Sequence, residues 1–286
     1  MINMADVSIL ADVPYLLHPN DSTSGFIHPA SEDDKADLRL EVRPAEKLPD
    51  AGDVRFEEGR RVYAGEGQDA CTFFRTGPGR EPYAFVSRRL VPDGKLVCEY
   101  LPGNEKYMDY ARNLITLMDI EATLLDFGSL ILHASLIRYG GKGIIFSAPS
   151  GTGKSTQAEL WERYEGAEVL NGDRAALRKF DGSWQAYGLP YAGTSGIYRN
   201  ESAPLRAIVI LRQADENHIC RIKGAEAFRF LYPETMIHRW DPQYERKASA
   251  LLLDVLAEVP VFLLECRPDR EAVTLLRNIL ETEEMQ

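Results

Sequence analysis

Apolar and polar positions alternate with a period of two through much of residues 1–104. Val7-Ser8-Ile9-Leu10 and Leu38-Arg39-Leu40-Glu41-Val42 read as strands with one buried face. Further strand segments are 61–64, 70–75, 83–87 and 95–100, set apart by Gly65-Glu66-Gly67, Gly77-Pro78-Gly79 and Pro92-Asp93-Gly94. Such breakers predict turns, so this part reads as a β-rich meander of hairpins. Residues 18–37, rich in Pro, Ser, Asp and Asn, read as a long loop that carries His18 and His28 as solvated side chains.

The pattern changes at 105–128. Tyr107, Tyr110, Leu114, Ile115, Met118 and Leu125 cover more than one helical face, which predicts a buried connecting helix stopped at Gly128. After it, 130–137 is a continuous apolar run. Gly140-Gly141-Lys142-Gly143 turns the chain and 143–147 returns, predicting a hairpin. A helix follows from 157, then a short strand at 167–170, a hairpin over 175–187 around Asp181-Gly182, and strands at 204–211, 218–223 and 261–265. Helices are predicted at 225–231, 245–258 and from Pro268-Asp269 to about 280, the last with a stripe of Leu275, Leu276, Ile279 and Leu280. His238-Arg239-Trp240 reads as a packed tryptophan with polar neighbours. The sequence therefore predicts an α/β core with α+β character over 129–286, preceded by a β-rich part at 1–104 suited to partner recognition.

Composition narrows the function. Lys plus Arg total 33 against 44 Asp plus Glu, a net charge of −11 that disfavours nucleic acid and anionic membrane as partners. No apolar run approaches membrane-spanning length, and the start lacks the basic and apolar regions of a signal peptide. Cys71, Cys98, Cys220 and Cys266 are widely spaced, as expected of reduced cysteines in a cytoplasmic protein rather than a metal cluster or disulfide framework.

The chemistry concentrates at Ser147-Ala148-Pro149-Ser150-Gly151-Thr152-Gly153-Lys154-Ser155-Thr156. A strand, a glycine-rich turn, Gly-Lys-Ser and a helix are the setting of a phosphate-binding loop. Small residues let backbone N–H groups converge on phosphate oxygens, and the helix N-terminus adds partial positive charge. Ser150, Gly151, Thr152, Gly153, Lys154, Ser155 and Thr156 are the expected ATP-binding residues, with Lys154 reaching the β- and γ-phosphates and Ser155 on Mg²⁺. Ala148 stands where the first glycine of the pattern is usual. Asn171-Gly172-Asp173 ends the next strand, either as a hairpin turn or as the place where Asp173 serves as Mg²⁺ ligand or catalytic carboxylate. The loop at 188–200 reads either as a mobile lid or as a connector. Arg206 and Arg212 either clamp phosphate or pair with surface carboxylates.

The order Leu132-His133-Ala134-Ser135, then Ser150 to Thr156, then Asn171-Gly172-Asp173-Arg174 resembles the C-terminal catalytic domain of HPr kinase/phosphorylase and the nucleotide core of phosphoenolpyruvate carboxykinases. The likeness is closest over 129–212 and absent from the N-terminal part. It implies a Mg²⁺-dependent, ATP-using kinase acting on a serine of a small protein or peptide, with self-association as in that family. His133 would sit near the γ-phosphate or orient Asp173, and Lys154, His133 and Asp173 would be catalytic. That family carries an Asp-Asp pair where this chain has Gly172-Asp173. An ATP-binding regulatory or scaffold protein and a small-molecule kinase are the alternative readings.

Overall fold

The computed structural model describes the chain except for residues 32, 51, 59, 64–67, 76–78, 90–93, 192 and 285–286. The turn signals at 65–67, 77–78 and 92–93, together with Ala64 and Ala192, lie outside the described residues. The fold is mixed α/β with two large sheets, and the chain divides into two compact units, Met1–Thr123 and Leu124–Gln286.

In the first unit the strands are β1 (Ile2–Met4), β2 (Val7–Asp12), β3 (Leu38–Pro44), β4 (Val54–Glu58), β5 (Arg60–Tyr63), β6 (Gln68–Phe74), β7 (Pro82–Arg89) and β8 (Lys95–Tyr100). They form one sheet in the order β1-β2-β3-β8-β7-β6-β5-β4. The strands from β5 to β8 form the expected antiparallel meander, and β4, which has no buried face and is not among the expected strands, pairs with β5 at its edge; β2, β3 and β8 run parallel to one another. Strand alternation gives most segments an apolar face, yet it carries no information on direction, so this pairing is not readable from the sequence. The helix expected over 105–128 is instead two helices, α1 (Ala111–Leu117) and α2 (Ile120–Asp126). The break is at Asp119, which takes φ 50°. The buried Arg88 guanidinium holds it open by donating to Met118 O, Asp119 O and Thr123 Oγ1 at 3.1, 3.3 and 2.5 Å. Met118 O also accepts from Thr123 Oγ1 at 2.7 Å, while Asp119 O accepts from Thr123 N at 2.9 Å and so begins the hydrogen bonding of α2.

The second unit contains β9 (Ser129–Tyr139), β10 (Lys142–Ser147), α3 (Lys154–Glu165), β11 (Glu168–Asn171), β12 (Arg174–Phe180), β13 (Ser183–Gly188), β14 (Ser202–Gln213), β15 (His218–Ile222), α4 (Gly224–Leu231), α5 (Pro242–Glu258), β16 (Val261–Cys266) and α6 (Arg270–Glu284). The hairpin of β9 and β10 forms as expected, turning at Gly140 and Gly141 with φ of 57° and 76°. These are the left-handed angles of a tight two-residue turn, which glycine adopts without strain. Strand β9 is long enough for three partners, meeting β12 through 129–133, β10 through 134–139 and β11 through 136–138. Strand β14 likewise meets β13 first, then lies parallel to both β10 and β16. Helices α3 and α6 close an apolar core over β10, β14 and β16 that includes Phe146, Ala158, Trp161, Val209, Phe262 and Leu276. Trp161 is fully buried and meets Tyr139 edge-on at 5.1 Å between ring centroids. This packing fixes the direction in which α3 leaves the end of β10. Among the described residues, no helix is long and apolar enough to cross a membrane.

Candidate functional site

The site grows from the carboxyl ends of β10 and its parallel neighbour β14. The apolar run of β10 ends at Ser147, and residues 148–153 turn back into α3. Gly151 and Gly153 take φ of 80° and 117°, and nothing lies within 4 Å of where a Cβ would be on either. The glycines are therefore required by backbone conformation and not by crowding. Ala148, in place of the usual glycine, is 2% exposed and packs into the core beneath the loop. Register sets the far wall: Ser147 pairs with Ile210, so Leu211, Arg212 and Gln213 run on beside the loop. Gln213 Nε2 donates to Gly151 O and Thr152 O at 3.4 and 3.3 Å, tying the loop to β14.

Lys154 opens α3 and is buried. Its ammonium folds back to donate to Ala148 O at 2.8 Å and Pro149 O at 3.4 Å. Burial lowers its pKa from the ordinary lysine value, against the opposing charges of Glu234 and Asp173, which raise it. Two carboxylates from distant parts of the chain thus act on one lysine. Ser155 is half-buried and Thr156 exposed at the start of the helix, while Ser150 is exposed in the loop.

Asp173 is placed by β11 and β12, which follow the same edge of β9 in succession. The Asn171-Gly172-Asp173 segment is not a hairpin turn. It is the interruption between two strands that both pair antiparallel with β9, after a register shift between Val169 and Asn171. Irregularities of this kind re-aim side chains. The buried Asn171 fixes the corner: its Oδ1 accepts from the Asp173 and Arg174 N–H groups, each at 2.8 Å, and its Nδ2 donates to Leu189 O at 2.7 Å. Ala134 N donates to Asp173 O at 2.9 Å, which ties Asp173 to β9 beside His133. Arg174 stands 3.6 Å from the Asp173 carboxylate and lies over the Tyr191 ring at 4.3 Å.

The 188–200 loop returns along β11. Tyr198 bridges to Asn171, and Arg199 N donates to Leu170 O at 2.9 Å. Gly193 then rests on Asp173: a Cβ there would come within 2.8 Å of the Asp173 Cβ, at a φ of +53°. Gly193→Ala should therefore shift the loop or the carboxylate and cost about 1–3 kcal/mol, the usual range for overpacking. A urea denaturation midpoint equal to that of the parent would show that the contact yields freely.

His133 lies on β9 with its ring turned to Glu234, Nδ1 to Oε2 at 2.8 Å. An ionised carboxylate only accepts, so Nδ1 carries the proton in this pair and Nε2 is the other ring nitrogen's acceptor position when the ring is neutral. Glu234 follows α4 and is held by its backbone: His133 N donates to its carbonyl at 2.8 Å and its own N–H donates to Leu231 O at 3.1 Å. A cleft of about 600 Å³ opens between the loop and this wall, lined by residues 147–152, Ile210 to Gln213, Arg229, Phe230, Pro233 and Glu234. That size is within the range of small-molecule sites. Arg212 reaches it while paired with Glu265 at 2.9 Å, whereas Arg206 donates to Leu280 O at 2.7 Å and is not among the lining residues.

The structure thus brings Lys154, Asp173, His133 and Ser155 into one region. It adds Glu234, Gln213, Arg229 and Phe230, which sequence reasoning missed. None of the four carries a spacing signal; Glu234 is 101 residues from the histidine it bonds. Among the described residues there is no group of three or more His, Cys, Asp and Glu side chains placed to hold a metal by themselves.

Comparison with known proteins finds a family model and a set of solved structures. The family model described as SynChlorMet cassette protein ScmC matches residues 96–267, more than half of the chain. Among solved structures, the Hpr(Ser) kinase/phosphatase from Coxiella burnetii is similar over 54% of this chain and 90% of that one, at 12% sequence identity and a TM-score of 0.33. A superposition that loose says nothing about chemistry. No curated protein matches the chain.

Proposed function

This chain belongs to the family of the SynChlorMet cassette protein ScmC, and we propose that it is an ATP-dependent kinase that transfers the γ-phosphoryl group to a hydroxyl, most simply a serine of a small protein or peptide. The observation that carries this reading is the buried Lys154. It opens a helix behind a glycine-rich loop and lies within electrostatic reach of two carboxylates, Glu234 and Asp173. A buried ammonium facing carboxylates beside convergent backbone N–H groups is suited to bind a polyphosphate and to steady charge during transfer. The motif resemblance to HPr kinase/phosphorylase supplies the acceptor class.

In this reading the backbone from Ser150 to Thr156 and the Lys154 ammonium hold the β- and γ-phosphates. Ser155 and Asp173 would hold Mg²⁺. Both offer oxygen, the donor Mg²⁺ prefers, and two protein ligands with phosphates and water completing the shell is its usual arrangement. The absence of a three-ligand protein cluster among the described residues is compatible with that. When bound, the ion neutralises phosphate charge. The acceptor oxygen bonds to the γ-phosphorus, the bond from that phosphorus to the β,γ-bridging oxygen breaks, and ADP leaves. Asp173 is directed to the metal because its charge acts on Lys154 at the phosphate end of the site and its carboxylate is packed under Gly193. The first unit, with no catalytic constellation among its described residues, is assigned to recognition of the acceptor protein.

Incubating the purified protein with Mg²⁺, γ-labelled ATP and an extract of its own organism should label an acceptor. Labelling no greater than that given by Lys154→Met would reject the kinase reading in favour of a nucleotide-binding regulator.

A further inference from the structure

We propose that Glu234 is the base that takes the proton of the acceptor hydroxyl, with His133 as its positioning residue. The inference rests on the kinase reading above. A hydroxyl transfer site needs a carboxylate that faces the acceptor, separate from the group that holds the metal, because a carboxylate committed to a cation is a poor proton acceptor. The segment 171–174 supplies only Asp173, since its neighbour is Gly172. The fold brings a second carboxylate to the same place from far along the chain.

The geometry is specific. Strand β10 pairs with β9 only as far back as the Ser147–Ala134 pair, after which its chain departs into the loop. The vacated edge of β9 is taken by 234–236. His133 N donates to Glu234 O at 2.8 Å, Met236 N donates to Ile131 O at 2.9 Å, and Thr235 bridges to Leu132. Thr235 Oγ1 also donates to Leu231 O at 2.9 Å, locking the segment to the end of α4. Glu234 is therefore fixed by backbone pairing just beyond the residue where the loop begins, and it is one of the residues that line the cleft. Its Oε2 is engaged by His133 Nδ1 at 2.8 Å. That leaves Oε1 as the oxygen to accept from an incoming hydroxyl, with the histidine fixing the plane of the carboxylate. A carboxylate in this role is the arrangement by which protein kinases accept the substrate hydroxyl proton. The proton passes to Glu234 as the oxygen–phosphorus bond forms. Lys154, on which the Glu234 charge acts, would stand at the phosphate end of the same path.

The test uses the full chain, with two measurements on each variant: ATP affinity by calorimetry, and label transfer from γ-labelled ATP to acceptor in extract. Glu234→Gln should bind ATP within about threefold of the parent and lose about 10²- to 10⁴-fold in transfer, the range for general-base help. Glu234→Asp, which keeps the carboxylate but shortens its reach, should retain measurable transfer. His133→Ala should lower the transfer rate at saturating ATP without changing ATP affinity, and His133→Gln, which keeps a donor for Oε2, should recover part of it. Wild-type transfer by Glu234→Gln overturns the proposal, as does parallel loss of binding and transfer in both Glu234 variants. Absence of transfer by the parent above the Lys154→Met level instead rejects the kinase reading, and the proposal with it.

Discussion

Asp173→Asn is expected to lower transfer by about two to three orders of magnitude, with most of that loss recovered by raising Mg²⁺. Asn keeps the size and the neutral hydrogen bonds of Asp but removes the charge a hard cation requires. Metal stabilisation of transferring phosphate is worth several kcal/mol, which sets the scale. The corner itself should survive, because its order comes from Asn171, whose amide bonds the Asp173 and Arg174 N–H groups and Leu189 O. The informative measurement is the Mg²⁺ dependence of transfer for this variant beside Glu234→Gln. If Asp173 holds the metal and Glu234 takes the proton, the Mg²⁺ midpoint moves for Asp173→Asn and stays put for Glu234→Gln. A variant of Asp173 that is slow at every Mg²⁺ concentration would return the base assignment to Asp173.

That division of labour shows where sequence reading stops. The glycine-rich loop, its strand and its helix are local, and local chemistry is legible. Gly151 and Gly153 are needed for their φ angles, Lys154 follows at once, and the hairpin of β9 and β10 is written in Gly140-Gly141. Most strands of the first unit were legible as segments because alternation marks a buried face, whereas the short β1 and the exposed β4 were not. Their pairing was not: β3 lies between β2 and β8 in parallel, a choice made by long-range packing. The segment at 171–173 shows the same limit at the site. Asn-Gly is a hairpin signal when the two flanking strands pair with each other. Here both pair with β9 instead, so the same residues become a corner that presents Asp173. Glu234 is the extreme case. Its position depends on β10 leaving β9 at Ser147 and on 234–236 filling the edge, two tertiary events with no local signature. The single trace in the sequence was a gap: Gly172, where the resemblance calls for a carboxylate.

Lys154→Met should separate stability from binding more sharply than any other change in this chain. Methionine approximates the lysine stem in volume and removes the ammonium. Each charge-assisted hydrogen bond to phosphate is worth about 1.5–3 kcal/mol, so losing contacts to the β- and γ-phosphates should weaken ATP binding by about two orders of magnitude or more. The ligand-free protein should change little in stability, because loss of the hydrogen bonds to Ala148 O and Pro149 O is offset by relief of a charge that burial disfavours, as its lowered pKa records. The sign of the pH dependence follows. Between the lowered folded value and the ordinary 10.5 the unfolded chain binds more protons than the folded one, so this lysine's contribution to stability rises with pH across that window. Bound phosphate reverses the preference by favouring the ammonium. ATP binding in the alkaline range should therefore take up protons, and affinity should fall as pH rises through the lysine's lowered pKa. Calorimetry of ATP binding in two buffers of different ionisation enthalpy reads the uptake directly. Identical heats in both buffers across that range would mean that the phosphates do not meet the Lys154 ammonium. Loss of the uptake in Lys154→Met, with its denaturation midpoint kept, would assign the proton to this side chain.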